Sequence, residues 1–112
     1  MTDRVGAILH SALDGLALRQ RTIADNIANI ETPRFLAGRV DFESSLRQAA
    51  AEGTAAEGPS VARSLQPTRL NGNNVNLDEE TLAAMETGLR YELTIQAITN
   101  RFNGIRTAIG GR

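Results

Sequence analysis

One histidine and one short run of carboxylates are the residues of this sequence best suited to chemistry. His10 is the only histidine, and the chain has no cysteine with which it could share a metal ion. A lone histidine without a partner at a catalytic or metal-binding spacing is usually a surface or packing residue. The sequence also has no glycine-rich phosphate loop and no serine–histidine–aspartate set. We therefore predict no enzymatic activity, no cofactor and no small-molecule substrate.

The carboxylates are Asp78, Glu79 and Glu80, which directly follow an asparagine-rich stretch at 71–76. Oxygen ligands of this kind suit Ca²⁺, but the twelve-residue spacing of an EF-hand loop is absent. Asp78 is instead a good N-cap, and Glu79 and Glu80 then fall in the first turn, where the helix dipole favours negative charge. The three acids predict the start of a helix and no metal site.

Charge and composition restrict the possible partners. The 12 basic residues nearly balance the 13 acidic ones, which gives a net charge of −1. Charges that are mixed in this way argue against a surface built for nucleic acid or for acidic membranes. No apolar stretch approaches the roughly 20 residues of a membrane helix. The first residues also lack the basic and apolar segments of a cleavable secretion signal. We expect a chain that is not embedded in a membrane and carries no cleaved signal peptide.

The first region, 3–31, has helical periodicity. Its apolar positions step by four and three in alternation, and one of them is polar: Leu9, Leu13, Leu16, Gln20, Ile23, Ile27 and Ile30. This is a heptad seam, in which a lone polar residue often fixes register. Gly15 weakens a helix by about 1 kcal/mol relative to alanine, so we expect fraying before Leu16. Pro33 should end the helix, because it disfavours helical geometry at Thr32.

The middle region, 33–76, has no long periodic stretch. Asp41 could cap a short helix over 42–51. Residues 51–60 carry no bulky side chains. They cannot bury enough surface to offset the loss of chain entropy, so we predict that they are disordered in the free protein. The run at 71–74 is typical of a turn, since asparagine and glycine tolerate left-handed backbone.

The last region should form a second long helix, over about 79–109, ended by Gly110 and Gly111. One apolar stripe comprises Leu82, Met85, Leu89 and Leu93. A second stripe, on roughly the opposite face, comprises Tyr91, Ile95, Ile98, Phe102, Ile105 and Ile109. Opposite stripes need partners on both sides of the helix, and one other long helix cannot supply both. The alternative is a helix enclosed in a compact bundle, but the chain offers few other elements. We infer contacts with other subunits.

These regions predict an all-α fold. The N- and C-terminal long helices should pair as an antiparallel coiled-coil hairpin, with an irregular, partly disordered middle segment. The expected units are an N-terminal helix within 1–32, a linker over 33–76 and a C-terminal helix within 77–112. A hairpin this thin is only marginally stable as a single chain, and it gains stability when several copies pack side by side.

Two segments resemble a known family. Residues 19–33 read RQRTIADNIANIETP, and residues 71–80 read NGNNVNLDEE. The first is similar to the N-terminal signature of flagellar rod and hook proteins. The second, with the short chain, resembles the basal-body rod protein family, closest to its proximal-rod subunits. Arg34 stands where the family pattern has glycine, and Asn71 where it has aspartate.

The resemblance implies a structural subunit of the flagellar basal-body rod, which spans the periplasm, transmits torque and encloses the export channel. It implies passage through the flagellar type III export apparatus, and contacts with other rod subunits and with the rod–membrane-ring adaptor. With this resemblance, Asn26 and Asn29 are interpreted as contacts to a neighbouring subunit. The full set of predicted assembly residues is Ile23, Asn26, Ile27, Asn29, Ile30, Thr32, Pro33, Phe42, Asn73, Asn74, Val75, Leu77, Asp78, Leu89, Tyr91, Ile98, Phe102 and Ile105.

Two other classes of function stay open at this point. Residues 21–35 superficially resemble a helix-turn-helix DNA-binding motif, although that fold needs three short helices and usually a basic surface. A general coiled-coil adaptor would share the heptad seam without the flagellar partners.

Overall fold

The computed structural model describes residues 4–110 of the chain. In chain order its elements are α1 (Arg4–Ala28), β1 (Gly38–Val40), α2 (Glu43–Glu52), β2 (Val61–Arg63) and α3 (Leu77–Ile109). The predictions for residues 1–3, Gly111 and residue 112 lie outside this range. The two long helices pack together, as the sequence predicted.

The two long helices run in opposite directions. At one end of the hairpin Asn26 of α1 bonds to Glu80 of α3, and further along Tyr91 packs on the cluster around Leu16. Between these contacts, Gln20 of α1 lies beside Gly88 of α3. The molecule is elongated, with extents of 65 × 26 × 14 Å. The predicted middle segment lies along the hairpin and adds a second, shorter layer.

A small sheet in the middle segment shows that the all-α prediction was wrong in this detail. β1 and β2 pair antiparallel, with Gly38 opposite Arg63 and Val40 opposite Val61. Each strand has three residues, which is too short for a period of two to stand out in the sequence. Val40 points into the core. The sheet closes the middle segment onto α1.

The core forms where α1, the sheet and α2 meet. It consists of Leu16, Val40 and Phe42, with Tyr91 of α3 packed against it. α1 is helical on both sides of Gly15, so the predicted fraying before Leu16 is not observed. A Cβ atom on Gly15 would lie 2.3 Å from the Phe42 ring. The absence of a side chain at Gly15 therefore lets the Phe42 ring pack directly against α1. Burial of the ring offsets the low helix propensity of the glycine.

The first helix ends at Ala28, ahead of the end that Pro33 predicted. The Asn29 side chain donates a hydrogen bond to the Asp25 carbonyl oxygen at 2.8 Å, so a local side-chain bond takes part in ending the helix. The chain then turns through Arg34, whose φ of 60° is left-handed. This is the position where the family pattern has glycine, the residue that adopts such a φ without a steric penalty.

The shorter helix and the start of α3 refine the predicted boundaries. α2 begins at Glu43 and has no side-chain cap on its N-cap residue, although the Asp41 carboxylate accepts a long 3.5 Å bond from the Ser44 amide. Residues 54–60 have no regular secondary structure, and their predicted disorder stays a prediction.

α3 is capped by Asn76, whose side chain accepts a hydrogen bond from the Glu79 amide at 3.1 Å. The prediction that Asp78 is the N-cap was therefore wrong, because Asn76 already takes that place.

Candidate assembly faces and the polar joint of the hairpin

A polar joint holds the closed end of the hairpin, where α1 ends and α3 begins. We define it as the side chains of Asn26, Arg39, Asn73, Asn74 and Glu80. They come from α1, from β1, from the loop before α3 and from α3 itself. The two segments that resemble the family, 19–33 and 71–80, thus meet in space, and each supplies hydrogen-bond partners to the other.

Asn26 lies at the centre of the joint and is 0 % exposed. Its Oδ1 accepts from the Gly38 amide at 2.8 Å, and its Nδ2 donates to the Gly38 carbonyl oxygen at 3.0 Å. The amide group thereby pairs with the backbone as a neighbouring strand would. Asn26 has no surface to offer another subunit, so the expected inter-subunit contact is replaced by an intrachain one.

Glu80 brings a carboxylate into this buried site. Its side chain is 1 % exposed, and it accepts from Asn26 Nδ2 at 3.1 Å and from Arg39 Nη1 at 2.6 Å. A buried carboxylate is tolerated when a cation and further donors surround it. The sequence predicts for Glu80 only a favourable interaction with the helix dipole, and it predicts no role for Arg39. The partners of both residues are distant in the chain, so no local signal identified them.

Asn73 bonds to the turn that directly follows α1. Its Nδ2 donates to the carbonyl oxygens of Asn29 and Thr32, each at 2.8 Å, and its Oδ1 accepts from the Val75 amide at 2.8 Å. The end of a helix leaves carbonyl groups without intrahelical partners. Asn73 satisfies two carbonyls of this region, so the asparagine-rich loop works as a cap supplied from 40 residues or more along the chain.

Asn74 connects the loop to the small sheet. Its Oδ1 accepts from the Ala37 amide at 2.7 Å, and its Nδ2 donates to the carbonyl oxygens of Ser64 and Gln66 at 3.2 Å. In the same loop Arg69 donates to the carbonyl oxygens of Ile30 and Val75. The region predicted as a turn and linker is thus extensively hydrogen-bonded to its surroundings.

A charged clamp joins the three helices further along the hairpin. Glu43 of α2 accepts from Arg19 of α1 at 2.7 Å through both oxygens, and from Arg90 of α3 at 3.1 Å. The hydrogen bond from Arg19 lowers the pKa of Glu43 below its ordinary value; burial opposes this, and the charges of Arg19 and Arg90 add to it. The same bond raises the pKa of Arg19. Arg19 also lies over the Phe42 ring, which couples the clamp to the core.

The outer stripe is the row of apolar side chains on the face of α3 turned away from α1. Its members are 57–68 % exposed: Leu82, Met85, Leu89 and Leu93. The buried face of the same helix contains Glu80 and Thr87 instead. Contiguous apolar patches on a small protein usually mark an interaction site. Within residues 4–110, no other segment covers this predicted stripe.

The second predicted stripe faces α1 and is only partly covered. Tyr91 and Ile98 are half-buried, whereas Ile95, Phe102, Ile105 and Ile109 are exposed. The exposed members lie mainly towards the last turns of α3. The prediction that α3 is apolar on opposite faces is confirmed. The structure adds that α1 covers only part of the face that carries the second stripe.

The remaining predicted assembly residues divide between interior and surface. Ile23, Phe42 and Val75 are buried, and Ile30 is half-buried. Ile27 lies at the edge of the seam with 36 % exposure. Exposed positions are Thr32, Pro33, Leu77 and Asp78, and Asn29 is half-buried. Sequence reasoning also missed Leu65 and Leu70, two fully exposed leucines of the loop before α3.

The described part of the chain contains little that resembles a catalytic site. Among residues 4–110, the acidic and histidine side chains form no group of three that could hold a metal ion. No helix in the same range has the length and hydropathy needed to cross a membrane. What the geometry does offer is an elongated helical hairpin with uncovered apolar faces, which is the character of a structural assembly subunit.

Comparison with known proteins identifies the kind of assembly. The family model described as "Flagella basal body rod protein" matches residues 8–35, which cover most of α1 and the turn after it. The flagellar basal body rod protein FlgB of Cereibacter sphaeroides is 31 % identical, over 83 % of this chain and 84 % of that protein. FlgB of Bacillus subtilis is 27 % identical over 92 % and 91 %, and FlgB of Escherichia coli is 27 % identical over 97 % of each chain.

The chain therefore belongs to the FlgB family of flagellar basal body rod proteins. This is a family of structural proteins and not of enzymes. The prediction made from residues 19–33 and 71–80 is confirmed. Nothing in these comparisons supports the helix-turn-helix alternative, and the turn after α1 leads into β1, where that motif would need a second helix.

Proposed function

We propose that this protein is a structural subunit of the flagellar rod that assembles through the apolar faces of α3. The observation that carries the proposal is the outer stripe, because its four large apolar side chains stay exposed after the hairpin has formed. Covering such side chains contributes roughly 25 cal/mol per Å² of apolar surface. Neighbouring subunits in a polymer can supply that cover along the length of the helix.

The finer roles follow from family membership. The subunit would lie in the proximal rod, which spans the periplasm, transmits torque and encloses the export channel. Its partners would be other rod subunits, the rod–membrane-ring adaptor and the export apparatus that passes it without a cleaved signal peptide. The surface residues Thr32, Pro33, Leu77, Leu89, Phe102 and Ile105 are the best placed of the predicted assembly residues for such contacts, since they are exposed.

A general coiled-coil adaptor is the remaining alternative. It would use the same apolar faces but would not be found with basal-body components. Isolation of basal bodies from cells that express a tagged chain separates the two, because only a rod subunit stays with the basal body after the membrane is dissolved.

The direct test is a charge placed on the outer stripe. Leu82→Asp puts a carboxylate where an apolar contact is needed, and desolvation of that charge should block assembly. The matched control is Thr81→Asp, which adds the same charge to the exposed neighbouring position outside the stripe. We expect non-motile cells and basal bodies without the subunit for Leu82→Asp, and normal swimming for Thr81→Asp. Normal swimming of the Leu82→Asp strain would refute the proposed role of the stripe.

A further inference from the structure

Two leucines of the loop before α3 project from the surface of the hairpin. Leu65 and Leu70 are fully exposed, and we call residues 63–70 the leucine loop. Its backbone is held in place: Asn74 donates to the carbonyl oxygens on both sides of Leu65, and beside Leu70 the Arg69 side chain donates to two backbone carbonyl oxygens. A projection that is already ordered loses little conformational entropy when it binds a partner.

The leucine loop is positively charged. Residues 58–77 contain Arg63 and Arg69 and no acidic residue. Both arginines are exposed, and they donate hydrogen bonds to backbone carbonyl oxygens. Among residues 4–110 neither of them forms an ion pair with a carboxylate. The loop therefore presents apolar side chains next to two positive charges that lack a negative partner in the described chain.

The outer stripe on α3 is bordered by charge of the opposite sign. Side chains three or four positions apart are neighbours on a helix surface. By this spacing the exposed Asp78, Glu86 and Glu92 adjoin members of the stripe. Arg90 is the one basic residue within 78–93, and it is already paired with Glu86 at 3.1 Å. Carboxylates are therefore in excess along this apolar surface.

These charges decide which surface of a second copy suits the stripe. Two outer stripes placed face to face would bring carboxylates against carboxylates, and two leucine loops would bring arginines against arginines. Like charges brought together across an interface are costly, whereas opposite potentials favour association. The leucine loop and the outer stripe thus complement each other, and neither complements itself.

We propose that the leucine loop of one copy packs on the outer stripe of the next copy. This inference rests on the proposed assembly role and names the surface that covers the stripe. The contact is heterologous, because each copy receives a loop on its stripe and offers its own loop to a further copy. Contacts of this kind form rings or open helical polymers, whereas a contact between two stripes would stop at a dimer.

Disulfide formation between purified chains tests this pairing. The chain has no cysteine, so Leu70→Cys, Leu82→Cys and Leu89→Cys each give a protein with a single thiol. The substituted side chains are exposed, so each variant should keep its fold, which circular dichroism verifies. A tag on the Leu70→Cys chain separates the mixed dimer from both homodimers on a non-reducing gel.

The mixed dimer should form in excess when tagged Leu70→Cys is oxidised together with Leu82→Cys or Leu89→Cys. Random collision of equal amounts of two thiols yields as many mixed dimers as homodimers, so the excess measures specific pairing. The matched control is Thr81→Cys, an exposed position next to Leu82 but about 100° around the helix axis. Its mixture with Leu70→Cys should show no excess.

A chain that carries both thiols tests the heterologous geometry. Leu70→Cys combined with Leu82→Cys or Leu89→Cys, whichever gives more mixed dimer, should produce trimers and larger species on oxidation. Each copy then has one thiol on the surface that it offers and one on the surface that it receives. Products that end at the dimer would contradict a repeating contact.

Three further outcomes would overturn the inference. Homodimers of Leu82→Cys or Leu89→Cys in excess over the mixed dimer would show that the stripe pairs with itself. An equal excess of mixed dimer with Thr81→Cys would show that the linkage is not specific for the stripe. Absence of any disulfide would show that the two surfaces do not meet.

A failure of this pairing is distinguishable from a failure of the proposed assembly role. That role is judged by the motility of the Leu82→Asp strain and by the content of its basal bodies. Non-motile Leu82→Asp cells, combined with no excess of mixed dimer here, would refute the pairing alone. The stripe would then be an assembly surface that a different protein covers.

Discussion

At the scale of single residues, the joint depends on side-chain amides that donate and accept at the same time. Asn73 donates to two backbone carbonyl oxygens and accepts from one backbone amide. An aspartate has the same shape but donates nothing. Asparagine is therefore required at this position by its hydrogen-bond pattern and not by its size or its turn propensity.

Asn73→Asp should lower the free energy of unfolding by about 2–3 kcal/mol, because it removes two buried hydrogen bonds and faces the two carbonyl oxygens with negative charge. The control is Asn71→Asp. Asn71 uses its Oδ1 as an acceptor for the Asn73 amide, a role that a carboxylate keeps, and the family pattern has aspartate there. Urea unfolding followed by circular dichroism measures both, and equal loss in the two variants would contradict this account of Asn73.

The ion-paired Glu43 gives the chain a predictable response to acid. Its pKa is lowered in the folded state, first by the hydrogen bond from Arg19. A carboxyl group with a lowered folded pKa stabilises the fold above its unfolded pKa, and this stabilisation is lost as the pH falls through the folded pKa. The loss should therefore occur below the ordinary glutamate pKa of 4.5.

Glu43→Gln should make stability less dependent on pH in that acidic range, since the substituted side chain has no proton to gain. Unfolding curves measured between neutral pH and pH of about 3 give the comparison. Glu57→Gln, at an exposed loop position, is the control and should retain the acid dependence of the unsubstituted chain. Identical pH profiles for Glu43→Gln and the unsubstituted chain would argue against the clamp.

At the scale of elements, Gly15 reverses the usual rule for glycine in a helix. Replacing a helical glycine by alanine usually stabilises by up to about 1 kcal/mol. At Gly15 the added Cβ would lie 2.3–2.6 Å from the Phe42 ring atoms, so α1 and the segment before α2 would have to separate. The close approach of these elements outweighs the propensity of the residue.

Gly15→Ala should therefore destabilise the fold, by about 1–3 kcal/mol for overpacking of a core. Gly104→Ala is the matched control in α3, where an added Cβ meets nothing within 4 Å, and it should be neutral or stabilising. Thermal unfolding of the two variants distinguishes these directions. A Gly15→Ala protein that is more stable than the unsubstituted chain would show that the ring does not occupy this place.

At the scale of the whole molecule, the exposed apolar stripe favours association but contributes little to folding of the single chain. Replacing all four members of the outer stripe by glutamine should leave the helical circular dichroism unchanged, because those side chains are already exposed. Self-association, measured by analytical ultracentrifugation over a range of concentrations, should weaken. Loss of helix on this replacement would mean that the stripe packs within the chain.

The helical hairpin, the apolar faces of α3 and the family could all be predicted from the sequence. Each of these depends on periodicity or on a local run of residues: the heptad steps from Leu9 to Ile30, the stripe from Leu82 to Leu93, and the two signature segments. Such patterns repeat within one element, so they can be recognised before any tertiary contact is known.

How these elements join could not be predicted and is visible only in the folded chain. Asn26 was expected on a surface and is buried, Gly15 was expected to weaken α1 and instead admits Phe42, and Glu80 proved to be a buried ion-pair partner. The physical reason is the same in each case: a polar or small residue gains its role from a partner distant along the chain. Local propensity describes what such a residue costs in isolation, whereas the fold supplies the hydrogen bond or the ring that offsets the cost.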